Sequence, residues 1–445
     1  MDVSIIGYIA CAAVIVLLAI RVPIAWAIGG VAVTALFFVF SLRTGTFMPD
    51  RALTRTLSVA FSSSFALIHS YNLSMIPLFI ALGHVAYKAE ITTEIYRAAR
   101  IWLAQLPGGV AIASIAGCGG FSAISGSSIA CASTMGKICT PEMIRLNYDP
   151  RLATASVAAG GTLGSLIPPS ILFIIYAIFT ETSIGKLFLA GLLPGLISLI
   201  GYAVVVYVWV RLSPEVAPRT DVHYTREEKY GALLGSWPAL LLFIIVIGGI
   251  YGGIFTATEA AALSLMFAIM FGVVRGKIRL RDIIPLVREV TVTTTVIFFI
   301  AACAKIFVSL IALTGLSNEL VAAIGETNIG PLGFIVIVCL IYLVLGMFLD
   351  PVGIMVLTLP LMIPMVDSFG FDLIWFGVII VKLLEIGLIT PPVGLNVFVL
   401  AAAIEEKVRI GQIFAGIWRF LVSDFIVLIL LIAVPAISLI LPMSM

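Results

Sequence analysis

Gly164-Ser-Leu-Ile-Pro-Pro169 and Gly387-Leu-Ile-Thr-Pro-Pro392 are the two segments from which the architecture can be read. Each places a glycine and a proline pair inside a long apolar stretch. The glycines are 223 residues apart, as are the proline pairs, Pro141 and Pro364, and Asp149 and Asp372. Pro107 and Pro331 lie 224 apart, and Ile184-Gly-Lys-Leu-Phe188 matches Ile410-Gly-Gln-Ile-Phe414 at 226. A near-constant offset over such a length predicts an internal repeat: residues 1–210 and 230–445, joined by a linker over 211–229.

The surroundings of these segments are membrane-like. Of 445 residues, 62% are hydrophobic and 11% charged, and the mean hydropathy is +1.21. Soluble domains carry about 25% charged residues, so a soluble enzyme and a disordered chain are both excluded. One span takes about 20 residues, which leaves room for roughly ten to twelve. The net charge is +2, with no basic face to neutralise phosphates, so nucleic acid is not a partner. Asp2 stands where a signal peptide would be basic, so Val3 to Ile20 is expected to be a retained span. The six cysteines sit in apolar stretches without a CxxC pair and read as small buried hydrophobes. His69, His84 and His223 are too scattered for a metal cluster.

Charge orients the repeat. Tyr230 to Val274 carries one charged residue, Glu259, and reads as two spans joined near Gly252-Gly253. Arg211, Arg219, Arg226 and Lys229 precede it, and Arg275, Lys277, Arg279, Arg281 and Arg288 follow, so both ends are cytoplasmic. From there a span over about 291–314 goes out. Residues 331–366, broken at Asp350-Pro351, enter and return between acidic flanks. Residues 373–404 cross back to Lys407 and Arg409. In the first half, residues 107–141 enter and return between basic flanks, and residues 152–179 cross outward from Arg145 and Arg151. Arg43, Arg51 and Arg55 conflict with this walk, and Arg51 to Ile68 is read as an amphipathic interfacial segment. The expected fold is an all-α polytopic membrane protein. It has inverted repeats, two re-entrant hairpins and discontinuous helices, a pattern of secondary transporters.

Helix breaks at membrane depth free carbonyls that must be buried in protein or line a polar cavity. Such oxygens suit a hard monovalent cation, and half-helix N-termini suit a carboxylate. The first half offers the hydroxyls of Ser122, Ser125, Ser127 and Ser128 and carbonyls near Gly164, Ile167 and Pro169. The second offers carbonyls near Gly346, Gly387, Thr390 and Pro392 and the Thr390 hydroxyl. The plainer reading is close helix packing by small residues, but two copies of the pattern favour a site. Asp350, Lys305, Glu259, Lys382 and Glu385 are intramembrane ionisable candidates. Lys382 and Glu385, three apart on a helix, equally suit a structural pair. Lys305 either neutralises Asp350 or attracts an anion. A serine hydrolase at Ser127 or Ser128 would need a base, and the histidines lie on other elements. A passive channel is the nearer rival, and hairpins that dead-end from both faces favour alternating access.

The chain resembles the large membrane subunit of tripartite ATP-independent periplasmic (TRAP) transporters. The resemblance is carried by Gly120-Phe-Ser-Ala-Ile-Ser-Gly-Ser-Ser128, Gly164-Ser-Leu-Ile-Pro-Pro-Ser170, Gly253-Ile-Phe-Thr-Ala-Thr-Glu-Ala-Ala-Ala262, Gly346-Met-Phe-Leu-Asp-Pro351 and Gly387-Leu-Ile-Thr-Pro-Pro-Val-Gly-Leu-Asn396. It implies a sodium-driven elevator importer of organic acids in the bacterial inner membrane. A periplasmic binding protein would deliver the substrate, and a separate four-helix membrane subunit would brace this one. One sodium site would use Ser122, Ser125, Gly164, Ile167 and Pro169, the other Gly346, Gly387, Thr390 and Pro392. Ser127, Ser128, Asp350, Asn396 and Lys305 are the expected substrate contacts. Many relatives carry Asp shortly after the Gly-Ser-Ser tip, where this chain has Cys131. The alternative is a carboxylate carrier that works without a binding protein.

Overall fold

A computed structural model describes residues 3–42, 49–218, 224–326, 329–404 and 408–445. Asp2, Arg43, Arg219, His223 and Lys407 fall outside the described residues. Every regular element among the described residues is a helix. The first half contains α1 (Val3–Ala19), α2 (Ile24–Leu42), α3 (Pro49–Ile68), α4 (Met75–Lys88), α5 (Ile91–Leu103), α6 (Gly109–Ser125), α7 (Ser128–Arg145), α8 (Pro150–Leu166), α9 (Ile171–Thr180) and α10 (Ile184–Leu212). The second opens with α11 (Arg226–Gly235) and α12 (Trp237–Phe243), which runs through a π-turn into α13 (Gly249–Tyr251). Then come α14 (Ala257–Val274), α15 (Leu280–Thr314), α16 (Leu316–Glu326), α17 (Pro331–Gly346), α18 (Pro351–Ser368), α19 (Leu373–Ile389), α20 (Leu395–Ala403), α21 (Ile410–Ala433) and α22 (Ala436–Met443).

All four expected breaks are present. The α6–α7 hairpin turns at Gly126-Ser127, and α17–α18 turns between Gly346 and Pro351. The α8–α9 and α19–α20 spans break at Pro168-Pro169 and Pro391-Pro392, whose peptide bonds are both cis. Among the described residues, seven helices are long and apolar enough to cross a membrane, or nine if two bent pairs count as spans. Val3–Ala19, Gly109–Ser125 and Pro331–Gly346 are also apolar but shorter, at 10–17 residues.

The core is built around α8 and α19. Residues 152–166 of α8 and 375–389 of α19 are buried on every face. The two pack against each other. Packing elsewhere exchanges the halves: α7 lies on α20 while α18 lies on α9, and α10 contacts α19 while α21 contacts α8. The outer helices follow suit, with α2 on α15 and α4 on α14. Repeat-equivalent aspartates start the two central helices. Asp149 accepts from the Arg151 N–H at 2.7 Å, and Asp372 from the Ile374 N–H at 2.7 Å. The Arg151 guanidinium, 2.7 Å from Asp149, holds that carboxyl below the usual carboxylate range.

Arg51 to Ile68 belongs to α3, a largely exposed helix that packs along α2 and α15 and is bent 58° from the segment that follows. One expectation changes. Glu259 is not an ion-binding group in the apolar interior. It forms a capping box with Thr256, accepting from the Thr256 N–H at 2.8 Å at the start of α14, the usual task of Glu at the third helical position.

Candidate functional site

Each half brings two helix C-termini and two N-termini to one place. In the first half, α6 ends at Ser125 and α8 at Leu166, while α7 and α9 begin beside them. Gly126 makes this closure possible. Its φ is +64°, and a Cβ there would sit 2.5 Å from the Pro169 carbonyl oxygen. The Gly126 carbonyl in turn accepts from the Ile171 N–H at 3.1 Å. Gly164 fits against the hairpin tip, where a Cβ would come within 2.7 Å of the Ser127 carbonyl carbon. Of the predicted set, Gly164 and Pro169 thus meet the hairpin tip through backbone, while the Ser122 hydroxyl donates to the Cys118 carbonyl at 2.6 Å.

The second half repeats the device. A Cβ on Gly387 would lie 2.6 Å from the Gly346 Cα, so the α17 tip and the α19 break touch through backbone. The Thr390 hydroxyl donates to the Ile386 carbonyl at 2.6 Å, leaving its lone pairs free. Pro168 and Pro169 have no N–H for the carbonyls of Gly164 and Ser165 four residues back, and Pro391 and Pro392 none for Gly387 and Leu388. Gly387 recovers one bond from the Thr390 N–H at 3.2 Å. Carbonyl-rich helix C-termini carry partial negative charge. Ser125 Oγ is buried with no hydrogen-bond partner. Orphaned oxygens beside two C-termini fit a small monovalent cation.

The expected substrate contacts divide. Ser127 and Asp350, 223 apart, are equivalent N-caps. Ser127 Oγ accepts from the Ala130 N–H at 3.3 Å, and Asp350 from the Val352 N–H at 3.0 Å and the Gly353 N–H at 3.2 Å. Asp350 thus fills the positive end of α18 with its own charge, whereas α7 has a neutral cap. Asn396 is fully buried and neither side-chain polar atom has a partner. Lys305 donates to the Ile178 carbonyl at 3.5 Å and sits 5.7 Å from the Phe179 ring centre. It does not neutralise Asp350. Ser128 Oγ donates to Glu385 Oε1 at 2.7 Å and lies 2.7 Å from Ser165 Oγ.

Glu385 and Lys382 are not a pair. Lys382 Nζ is 2.5 Å from Asp424 Oδ1 and donates to Ser198 Oγ at 3.1 Å. Tyr202 donates to the same Asp424 oxygen at 2.6 Å, and its hydroxyl meets Thr162 Oγ1 at 2.9 Å. Charge spacing on one helix carries no information about partners on α10 and α21. Ser198 and Asp424 are 226 apart, the offset of Ile184 and Ile410, so the Lys382 ammonium is held by one residue from each half of the chain. At the base of the first hairpin, Glu142 of α7 pairs with Arg100 and accepts from the Tyr96 hydroxyl at 2.6 Å, tying it to α5.

Residues 11–437 match the family described as the DctM component of the tripartite ATP-independent periplasmic transporter. The chain is 34% identical over 398 residues to the C4-dicarboxylate TRAP transporter large permease protein DctM of Pseudomonas aeruginosa, covering 89% of this chain and 91% of the relative. It is 31% identical over 398 residues to the sialic acid TRAP transporter large permease protein SiaM of Vibrio cholerae, covering 88% and 91%. Over 343 residues it is 30% identical to the ectoine TRAP transporter large permease protein TeaC of Halomonas elongata, covering 76% and 79%. Among solved structures, the YdaH transporter of Alcanivorax borkumensis superposes with a TM-score of 0.62 at 13% identity, covering 88% of this chain and 90% of that one. MtrF of Neisseria gonorrhoeae gives 0.60 at 12% identity, covering 87% and 85%. At these identities the likeness is one of fold.

Proposed function

Because the chain belongs to the DctM family of TRAP transporters, and is thus a multi-pass inner-membrane permease and not an enzyme, we propose that it imports organic acid anions by sodium symport. Ser122, Ser125, Gly164, Ile167 and Pro169 would hold one sodium ion, and Gly346, Gly387, Thr390 and Pro392 the other. The observation that carries this reading is the orphaned Ser125 hydroxyl beside two helix C-termini. Bound sodium supplies positive charge that lowers the cost of carrying a carboxylate through a low-dielectric region. Ser127, at the neutrally capped N-terminus of α7, and the unpartnered Asn396 would meet the anion, while the Ser128 hydroxyl is already given to Glu385. A periplasmic binding protein delivers it, and a small four-helix membrane subunit braces the outer helices. The relatives' named cargoes, a C4-dicarboxylate and sialic acid among them, support the acid class.

The moving body in this proposal is α6–α10 with α17–α21. The Lys382–Asp424–Tyr202–Thr162 network supports it by joining α8, α10, α19 and α21 into one unit. The outer helices are the scaffold. Ser125→Ala, in proteoliposomes with the small subunit and the binding protein, is expected to raise the half-saturating sodium concentration about tenfold, the worth of one oxygen contact near 1.4 kcal/mol. An unchanged sodium dependence would remove Ser125 from the site. A passive channel would instead pass ions with no substrate added.

Opposite orientation of the halves makes a second prediction. Lys137 on α7 and Asp367 on α18 are both exposed. In a cysteine-free background, Lys137→Cys is expected to react with an impermeant maleimide from the cytoplasmic side only, and Asp367→Cys from the periplasmic side only. Labelling from one common side would overturn the inverted arrangement.

A further inference from the structure

The buried charges where α10, α19 and α21 meet do not balance. Lys382 contributes one positive charge, and Asp424 and Glu385 two negative ones. Lys382 is fully buried and Asp424 and Glu385 are each 1% exposed. Lys382 is committed to Asp424 at 2.5 Å and to Ser198. Glu385 has only neutral hydrogen-bonding neighbours, the Ser128 hydroxyl at 2.7 Å from Oε1 and the Ser165 hydroxyl beside it. Its other oxygen, Oε2, is buried and has no partner. In a low-dielectric interior such a carboxylate has to take up a proton or hold a cation, and neutral hydroxyls supply neither.

We propose that Glu385 is the anchor of a third sodium site, lying between the two halves and separate from the two carbonyl-lined sites. Its ligands are Glu385 Oε2 and the hydroxyl oxygens of Ser128 and Ser165, which lie 2.7 Å apart. Hydroxyl hydrogens rotate, so both serines can turn lone pairs toward a cation. The Ser165 carbonyl adds a further oxygen, because Pro169 has no N–H to bond it. One net negative charge selects a monovalent ion, since a divalent ion would leave an uncompensated positive charge. Ser128 begins the hairpin arm that follows the tip holding Ser125, and Glu385 is two residues from Gly387. Filling this site therefore ties the two halves' sites together.

The third site rests on the sodium symport proposed for the permease, and the experiment separates the two. Sodium ions per substrate are counted from reversal potentials in proteoliposomes holding the full permease complex and binding protein. Glu385→Gln keeps the hydrogen bond from Ser128 and removes the charge, and it is expected to move one sodium fewer than wild type. At zero membrane potential and a tenfold sodium gradient, substrate accumulation then falls about tenfold. An unchanged sodium count overturns the proposal. So does an unchanged count with loss of a pH-driven component of uptake, which would make a proton the neutralising charge. If wild type shows no sodium-driven accumulation, sodium coupling itself is refuted. Should Glu385→Gln fail to assemble, Ser165→Ala takes its place: the Hill coefficient for sodium is expected to fall, and a wild-type value would sink the third site.

Discussion

Gly387→Ala is expected to raise the half-saturating sodium concentration about tenfold to a hundredfold while leaving a folded complex. Two effects compete. Alanine favours a helix over glycine by about 1 kcal/mol, and Gly387 lies within α19. Against this, the new methyl would stand 2.6 Å from the Gly346 Cα, 2.8 Å from its carbonyl carbon and 2.9 Å from its oxygen. These are backbone atoms and cannot rotate away. Overpacking typically costs about 1–3 kcal/mol, and here relief comes only by driving the α17 tip off the α19 break. Both elements carry the oxygens proposed for the second sodium, so the cost falls on sodium binding at roughly tenfold per 1.4 kcal/mol. Gly411→Ala is the matched control, because nothing lies within 4 Å of its added Cβ. Sodium titrations of uptake for the two variants decide the matter. Equal curves would show that the Gly346–Gly387 contact has no part in ion binding.

Asp424→Leu should destabilise the folded permease by about 3–5 kcal/mol, the usual cost of breaking a buried pair. It strands a fully buried ammonium with Ser198 as its one remaining hydrogen-bond partner. Lys382→Met should cost less, because Asp424 keeps the Tyr202 hydroxyl at 2.6 Å. The double variant Lys382→Met with Asp424→Leu is expected to regain most of the loss. Neither member of the pair is then left charged without the other, and Tyr202 still meets Thr162. Thermal unfolding of wild type and the three variants forms a double-mutant cycle. Additive losses would mean that the pair is not a unit.

The breaks are legible in the sequence because glycine and proline impose backbone conformations locally. Gly126, Pro168-Pro169, Asp350-Pro351 and Pro391-Pro392 act on neighbours within four residues, so their effect can be read from the string. The two-copy organisation is legible for the same reason, since equivalent breaks recur at one spacing. Side-chain partnership is less accessible. Lys382 and Glu385 share a helix face by spacing, yet each finds its partner on another helix. Asp350 reads as an intramembrane charge, but its place just before the first turn of α18 makes it a cap. Glu259 is likewise a cap, because Thr256 stands three residues before it at a helix start.

Composition and constraints spanning a few residues were enough to establish that this chain lives in a membrane and where its helices break. Which buried charge is neutralised and which is left over was settled by packing alone. The meeting of α10, α19 and α21 brings Ser198, Lys382 and Asp424 from distant parts of the chain within hydrogen-bond reach, and it leaves Glu385 with the hairpin tip.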